Sequence, residues 1–371
     1  MNIIHLTGMR SNKYGGLETE FIELAKNCKR NGNTLSLVYE ELPTSRRYLE
    51  DLKMNNVKLL VIPARGKPIY FMLSLFSLFL KESPDIVHYH FNPAAKYGAT
   101  ISYFLGIPAI QSFRSMPGKS TLSKFSTRLR CRLSSEVLAV SNAVAEQLRA
   151  ISRVKNVSTL YNGINLSLSD KKASISRSDL NIPKENIIIS NVAFHADIKG
   201  IDILLKSISI LLKKHKNITL VQIGTENVNG STLKLMQMAT SLSIDKNIIW
   251  VGATDKVHDY LSMSDIYCHT SRSEGFGRAI IEAMSHKLPV VATQVGGISE
   301  IVNSNELGFL SANEDAKSIA NNLSTLVSNS SLRLQVGSYA YKYVKNKYCV
   351  RKQVECLQEK YLTLANNNRS Q

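Results

Sequence analysis

The chain predicts an α/β protein of two Rossmann-like, doubly wound domains, each built on a parallel sheet. Three observations carry that expectation. Short apolar strands alternate with helical patterns, and such alternation builds parallel sheets. The alternation breaks once, across a polar stretch, and then restarts. At 371 residues and 44% hydrophobic content the chain can fill two ordinary cores.

In the first half, Ile3–Leu6, Thr34–Val38, Val57–Ile62, Ile86–Tyr89, Ala109–Phe113 and Val137–Val140 read as strands. Leu17–Arg30 reads as a helix with Phe21, Ile22, Leu24 and Ala25 apolar. Pro68–Lys81 reads as a second helix, too short to cross a membrane and so apolar that a buried crossover is preferred to a lipid-inserting segment. Residues 165–186, rich in Ser, Lys and Asp, interrupt the pattern. It resumes with strands Ile187–Val192, Thr219–Ile223, Ile248–Val251, Ile266–His269 and Val290–Thr293. Between the first two of these, Ile201–Lys213 is a helix with Leu204, Leu205, Ile208 and Leu211 near one face. The expected domains are 1–165, a linker 166–186, a second domain 187–345, and a C-terminal helix in 346–371 packing back toward the first. Two such domains face a central cleft, and ligands of open α/β sheets sit beyond the carboxyl ends of the strands.

No apolar run reaches the roughly 18 to 20 residues a spanning helix needs. The opening Met1-Asn2-Ile3-Ile4-His5-Leu6 has the look of a strand, without a basic leader, and this argues against a signal peptide. The five cysteines fit neither a zinc site nor a disulfide framework, which implies a reducing compartment. Net charge is +17. Residues 1–170 hold 22 Lys+Arg against 12 Asp+Glu, a net of +10, and residues 171–371 hold 24 against 17, a net of +7. The densest run is Arg114, Lys119, Lys124, Arg128, Arg130 and Arg132, with no acid among them. An anionic lipid surface, a nucleic acid and a plain solvated face are the three readings of that run.

The most specific chemistry lies in Glu274-Gly275-Phe276-Gly277-Arg278-Ala279-Ile280-Ile281-Glu282. A strand, a glycine turn and a helix starting at Arg278 or Ala279 put backbone N–H groups at a positive dipole end, a ready anion site. The two carboxylates lie at most about 12 Å apart along the helix at roughly 1.5 Å per residue. One can meet a sugar and the other a ribose, with a diphosphate between them. A glycosidase dyad also uses two acids, but the phosphate-ready turn favours transfer from an activated sugar over hydrolysis. Lys199-Gly200 precedes a helix, where a cation opposes the dipole unless an anion occupies the site; Lys199 is thus a candidate for the diphosphate. Tyr14-Gly15-Gly16-Leu17-Glu18 opens the first helix, and its glycines permit close backbone approach to a ligand. His88 and His90 share one strand face, but a metal site needs a third ligand that the sequence does not identify. No Asp-x-Asp motif is present to hold a divalent ion, so no metal and no cofactor are expected.

In order along the chain, Gly15-Gly16, Asn162-Gly163-Ile164, Lys199-Gly200, Glu274…Glu282 and Gly296-Gly297…Glu300 resemble the glycosyltransferases of family four, which have the GT-B fold. The resemblance covers nearly the whole chain. It implies a retaining, metal-independent enzyme using a nucleotide-activated sugar. It further implies that Glu274 binds the donor hexose and Glu282 the ribose, with backbone amides near Gly277, Ala279 and Ile280 on the phosphates. The full donor set is then Gly15, Gly16, Lys199, Gly275, Phe276, Gly277, Arg278, Ala279, Ile280 and Glu282, with Glu274, Lys199 and Arg114 as the catalytic group. Three departures stand out. Phe194, followed by His195, occupies the place of a usual phosphate-binding Arg, for which Arg278 or Arg114 can substitute. Arg114 stands where many members have an active-site His, and its role is electrostatic because it cannot act as a base. Asn165 replaces the usual acid of the linker motif.

Together these features point to hexose transfer from a UDP-sugar, or next a GDP-sugar, to a glycan or lipid-linked acceptor in bacterial polysaccharide or lipopolysaccharide assembly. Such an enzyme is expected in the cytoplasm, peripheral on the inner membrane's inner face. The competing readings are a phosphorylase-like or epimerase-like protein, or one using a soluble sugar or sugar-phosphate acceptor. A nucleic-acid partner is disfavoured, since only Phe125 interleaves the basic run. No Gly-x-Gly-x-x-Gly follows a strand, which argues against a dinucleotide oxidoreductase.

Overall fold

Every pairing between strands of the described residues is parallel, as continuous apolar runs buried on both faces require. The computed structural model describes residues 1–369 except 12–13, 65, 93, 119, 170–171 and 227. Met1–Ile164 and Val350–Gln371 make up one unit, and Asn165–Cys349 the other.

In the N-terminal unit the strands are β1 (Asn2–Leu6), β2 (Thr34–Tyr39), β3 (Lys58–Val61), β4 (Ile86–Tyr89), β5 (Ala109–Phe113), β6 (Glu136–Ala139) and β7 (Val157–Thr159). They lie in the order β3-β2-β1-β4-β5-β6-β7. The helices between them are α1 (Gly16–Arg30), α2 (Arg46–Met54), α3 (Pro68–Glu82), α4 (Ala94–Phe104), α5 (Thr121–Arg132) and α6 (Asn142–Ser152). The period-two alternation of a strand separates two core layers. Ile3, Leu35, Leu37 and Ile86 pack with Phe21, Leu24 and Tyr48 of α1 and α2. Ile4, Leu6, Val87 and Tyr89 pack with Phe71, Leu75, Ala95 and Ala99 of α3 and α4.

The C-terminal unit contains β8 (Ile187–Val192), β9 (Ile218–Ile223), β10 (Ile248–Gly252), β11 (Ile266–His269), β12 (Val290–Thr293) and β13 (Gly308–Ser311), ordered β10-β9-β8-β11-β12-β13. Its helices are α7 (Ile201–Leu212), α8 (Ser231–Ser241), α9 (Val257–Ser262), α10 (Arg278–Ser285), α11 (Ile298–Ile301), α12 (Ala316–Ser328) and α13 (Ser330–Lys347). Leu204, Leu205, Ile208 and Leu211 of α7 share a core with Ile319, Leu323 and Leu326 of α12. In each sheet the winding direction reverses once, between β1 and β4 and between β8 and β11. Loops leaving neighbouring strands at such a point diverge, and that opening is where doubly wound sheets take ligands.

The last helix, α14 (Val350–Arg369), returns to the N-terminal unit. Val354, Leu357, Tyr361 and Ala365, at spacings of three and four, form its buried stripe against α1. The chain leaves that unit after Ile164 and re-enters at Val350, and the Val350 N–H donates to the Ile164 carbonyl at 3.0 Å.

The structure departs from the expectation in three ways. The strands β7 and β13 have no counterpart in the sequence reading, because Val157-Ser158-Thr159 and Gly308-Phe309-Leu310-Ser311 are too short and mixed to announce themselves. Residues 166–186 do not stand apart as a linker but belong to the C-terminal unit. Arg177 anchors them by donating to Asp265 Oδ2 at 2.7 Å and to the carbonyls of Asn186 and Met263. Finally, α3 is not a buried crossover. Phe71, Leu75 and Phe79 enter the core, whereas Ile69, Tyr70, Leu73, Phe76 and Leu80 are exposed.

Leu357 is fully buried between α14 and the N-terminal sheet. Leu357→Ala is expected to destabilise the N-terminal unit by about 2–5 kcal/mol. Chemical unfolding followed by near-UV dichroism checks this, and an unchanged midpoint shows that α14 adds nothing to that core.

Candidate active site

The C-terminal unit builds its site from the two loops that diverge between β8 and β11. Gly200 (φ +60°) closes the loop after β8, and a Cβ there would lie 2.0 Å from the Thr270 carbonyl oxygen. The Thr270 hydroxyl donates to the Gly200 carbonyl at 2.8 Å, and the Arg272 N–H donates to the Ile198 carbonyl at 2.8 Å. Arg272 further clamps α7, meeting both Asp202 carboxylate oxygens at 2.8 Å and pairing with Glu314. Gly296 (φ +51°) approaches from the β12 side; its Cβ would lie 2.0 Å from the Glu274 carbonyl oxygen, and Gly297 N–H donates to that oxygen at 3.2 Å. These close backbone approaches hold Lys199 and Glu274 together.

Lys199 Nζ donates to Glu274 Oε2 at 2.6 Å. The same oxygen lies 3.3 Å from His269 Nε2 and accepts from Ser271 Oγ at 3.4 Å. Behind it, His269 Nε2 and Ser271 Oγ are 3.0 Å apart, and His269 Nδ1 meets the Tyr267 hydroxyl at 3.1 Å. Burial pushes the Glu274 carboxyl up, but His269 and Lys199 outweigh it and hold the group down at about 2. Glu274 is therefore an anion at neutral pH. Neither His269 nor Ser271 stood out in the sequence, although both flank Glu274 at the end of β11.

Around this pair, the structure distributes the other residues of the expected donor set. Gly277 (φ +103°) caps α10, which begins at Arg278. The Ile280 N–H already donates to the Gly277 carbonyl at 2.9 Å. Phe276 is buried, edge-on to Tyr348 at 5.4 Å, so its side chain packs and does not face the turn's opening. Arg278 Nε donates to Glu282 Oε1 at 2.9 Å, so these two side chains meet each other on one helix face. Phe194 is half-exposed, while His195 is buried against Trp250 and meets the Thr232 hydroxyl at 2.7 Å.

Gly15, Gly16 and Arg114 lie in the other unit. The Gly15 N–H donates to Glu18 Oε2 at 3.0 Å, and Ser11 Oγ donates to Glu18 Oε1 at 2.7 Å, so Glu18 already faces the positive end of α1. Arg114 grips the buried Glu20 through two bonds of 2.6 and 2.9 Å and donates to Asn162 Oδ1 at 3.2 Å. Of the basic run, Arg114 is thus spent on an internal pair. Arg130 is buried over the Phe113 ring, where burial lowers its affinity for a proton. Lys119 lies outside the described residues, which leaves Lys124, Arg128 and Arg132 as exposed cations.

The third histidine beside His88 and His90 is His5 on β1, whose ligand nitrogens lie within 4.8 Å of theirs. Every ring nitrogen already has a partner. His5 Nδ1 meets His90 Nε2 at 3.0 Å, and His5 Nε2 meets the Tyr361 hydroxyl at 2.8 Å. His88 lies between Tyr361 at 2.6 Å and Ser112 at 2.7 Å, and Arg114 Nε reaches His90 Nδ1 at 3.4 Å. The guanidinium beside the cluster opposes a metal cation, so the three rings fit a hydrogen-bonded chain better than a metal centre. Burial drives His5 down to about 3 and holds His88 and His90 well below the usual histidine range.

Two doubly wound parallel sheets, with a lysine–carboxylate pair and a glycine-capped helix at the second sheet's reversal point, define a GT-B glycosyltransferase. Residues 14–168 match Glycosyltransferase Family 4, and residues 172–343 match Glycosyl transferases group 1. The chain belongs to this glycosyltransferase family and is an enzyme of that class. It is 24% identical over 356 residues to a capsular polysaccharide biosynthesis glycosyltransferase, CapM, of Staphylococcus aureus, covering 85% of this chain and 92% of the relative. It is 22% identical to the N-acetyl-alpha-D-glucosaminyl L-malate synthase of Bacillus anthracis, covering 90% of each. Its fold is similar to that of Anabaena Alr3699/HepE in complex with UDP-glucose, with a TM-score of 0.84, 21% identity, and coverage of 98% of this chain and all of that one.

The histidine chain sets a pH dependence. Above the ordinary histidine value both folded and unfolded chains are neutral here; below it only the unfolded chain takes up protons. Stability is therefore expected to fall as the pH drops below about 6.5, for His5 down to about pH 3, by up to roughly 1.4 kcal/mol per pH unit for each histidine. His88→Gln should flatten that slope by about one proton. Melting temperatures across pH 7 to 4 test it, and identical slopes in the two proteins exclude His88 as a contributor.

Proposed function

We propose that the protein transfers a hexose, with retention of anomeric configuration, from a nucleoside-diphosphate sugar to a glycan or lipid-linked acceptor in bacterial surface polysaccharide or lipopolysaccharide assembly. UDP-sugars are the first choice of donor and GDP-sugars the second. The observation that carries this reading is the Lys199–Glu274 pair at the reversal point of the C-terminal sheet, beside the N-terminus of α10. Lys199 is assigned to the diphosphate. Drawn to that charge, it releases Glu274 Oε2 to accept hydrogen bonds from the hexose, while its ammonium stabilises the departing phosphate. Glu282 is assigned to the ribose and the turn Gly275–Ile280 to the phosphates, with no metal required. Gly15 and Gly16 are assigned to the donor as well, and Arg114, its charge offset by Glu20, to a supporting electrostatic role.

We assign it to the cytoplasmic face of the inner membrane, with an anionic lipid surface as partner. No helix of the described residues is long and apolar enough to cross a membrane. The similarity to a synthase named for an L-malate product favours a second reading, in which the acceptor is a small soluble molecule.

Lys199→Ala is expected to lower kcat by about tenfold or more with little change in melting temperature, because the lost charge acts on developing phosphate charge. Turnover within about threefold of wild type shows that Lys199 does not serve the leaving group.

Glu282→Gln should weaken binding of UDP or GDP alone more than Glu274→Gln does, since ribose is part of every nucleotide and the hexose is not. Titration calorimetry in EDTA decides both points. Equal losses in the two variants sink the assignment, and loss of wild-type binding in EDTA sinks metal independence.

A further inference from the structure

The helix α3 carries two apolar stripes. One, Phe71, Leu75 and Phe79, fills the core, and the other, Ile69, Leu73, Phe76 and Leu80, stands between 44 and 70% exposed. The outer stripe repeats at spacings of four, three and four, so it forms a continuous line along the helix. It continues sideways, because α3 packs on α4 and α4 on α5. At the end of α4, Phe104 is 79% exposed, and on α5 Leu122 and Phe125 are 84% and 66% exposed. Large apolar side chains gathered on one side of a unit mark an interaction surface.

Its charges are of one sign. Residues 86–135 contain no Asp or Glu, and the three helices share a single acid, Glu82, which accepts from Lys58 at 2.7 Å. Lys67 caps the start of α3 and Lys81 ends it, both exposed, and Lys96, Lys124 and Arg128 are exposed on α4 and α5. A lysine at a helix start opposes the dipole, so this arrangement is not explained by helix stability. A second copy of this chain fits poorly, since a shared face would set lysine against lysine without an intervening acid in a chain of net charge +17. An apolar strip rimmed by cations and depleted of acids matches a bilayer with anionic headgroups.

We infer that the α3–α5 face docks on an anionic lipid surface, with Leu73 and Phe76 entering the acyl boundary and Lys67, Lys81 and Lys124 meeting the headgroup phosphates. This names the surface through which the proposed function reaches its membrane, and it rests on that reading. It also extends the contact from the Arg114–Arg132 run, where Arg114 and Arg130 are occupied inside the fold, onto α3.

The test is sedimentation of the purified full chain with vesicles of phosphatidylcholine, alone or mixed with phosphatidylglycerol, at low and high salt. The wild type should bind the mixed vesicles at low salt. Leu73→Ser with Phe76→Ser should lower partitioning by about tenfold or more at either salt. Lys67→Gln with Lys81→Gln should lower it by about fivefold per cation at low salt only. Unchanged partitioning of the Leu73/Phe76 variant overturns the inference. So does a dimer, seen by analytical ultracentrifugation, that this variant splits without any change in vesicle binding. Calorimetry with UDP and with GDP on the same preparations separates the two readings. Vesicle binding without nucleotide binding keeps the surface and removes the function, and the reverse result removes the surface alone.

Discussion

The candidate site depends on how closely two backbone loops can approach. Gly200 lies against the Thr270 carbonyl and Gly296 against that of Glu274, and neither position has room for a Cβ. The Thr270 hydroxyl and the Arg272 guanidinium then bind the loop after β8 to the loop after β11. Only with these loops in register can a lysine from one and a glutamate from the other meet at 2.6 Å. The pair in turn keeps a largely buried carboxylate ionised, because Lys199 and His269 together outweigh the desolvation that would neutralise it.

The N-terminal unit solves a similar problem with a longer chain of polar groups. A row of buried groups runs from Ser112 through His88, Tyr361, His5 and His90 to Arg114 and Glu20, each hydrogen-bonded to the next. Buried polar groups are tolerated when every member is satisfied, and such a network specifies a unique arrangement. Tyr361 contributes from α14, so the last helix supplies a polar join as well as its apolar stripe. Glu20 compensates the Arg114 charge inside the fold, which is why that arginine is not a surface cation despite its setting in a basic run.

Charge and apolar exposure thus divide differently from their distribution along the chain. The densest basic run loses two members to the interior. The strongly apolar helix α3 leaves nine of its fifteen residues exposed. An amphipathic reading of α3 fails because both its stripes are apolar, and periodicity cannot tell which of two apolar faces has a partner.

What the sequence determined by itself is the fold class and the places where chemistry gathers. Strands such as Ile187–Val192 and Ile266–His269 are legible because a buried parallel strand must be a continuous apolar run, and the glycine turn at Gly275–Gly277 because it opens a helix. The strands β7 and β13 were not legible, since residues such as Ser158 and Ser311 gain strand geometry from a paired neighbour and not from their own preference. Lys199 and Glu274 could be named singly, 75 positions apart, but their ion pair and the His269–Ser271 support are products of the sheet's winding. In the same way His88 and His90 sit on one face by local geometry, whereas His5 and Tyr361 join them across 83 and 273 residues through strand pairing and the return of α14. Local pattern determines what each segment becomes. Which segments touch, and which face is left to the solvent, is decided by tertiary packing, because burial and pairing depend on neighbours that no local window contains.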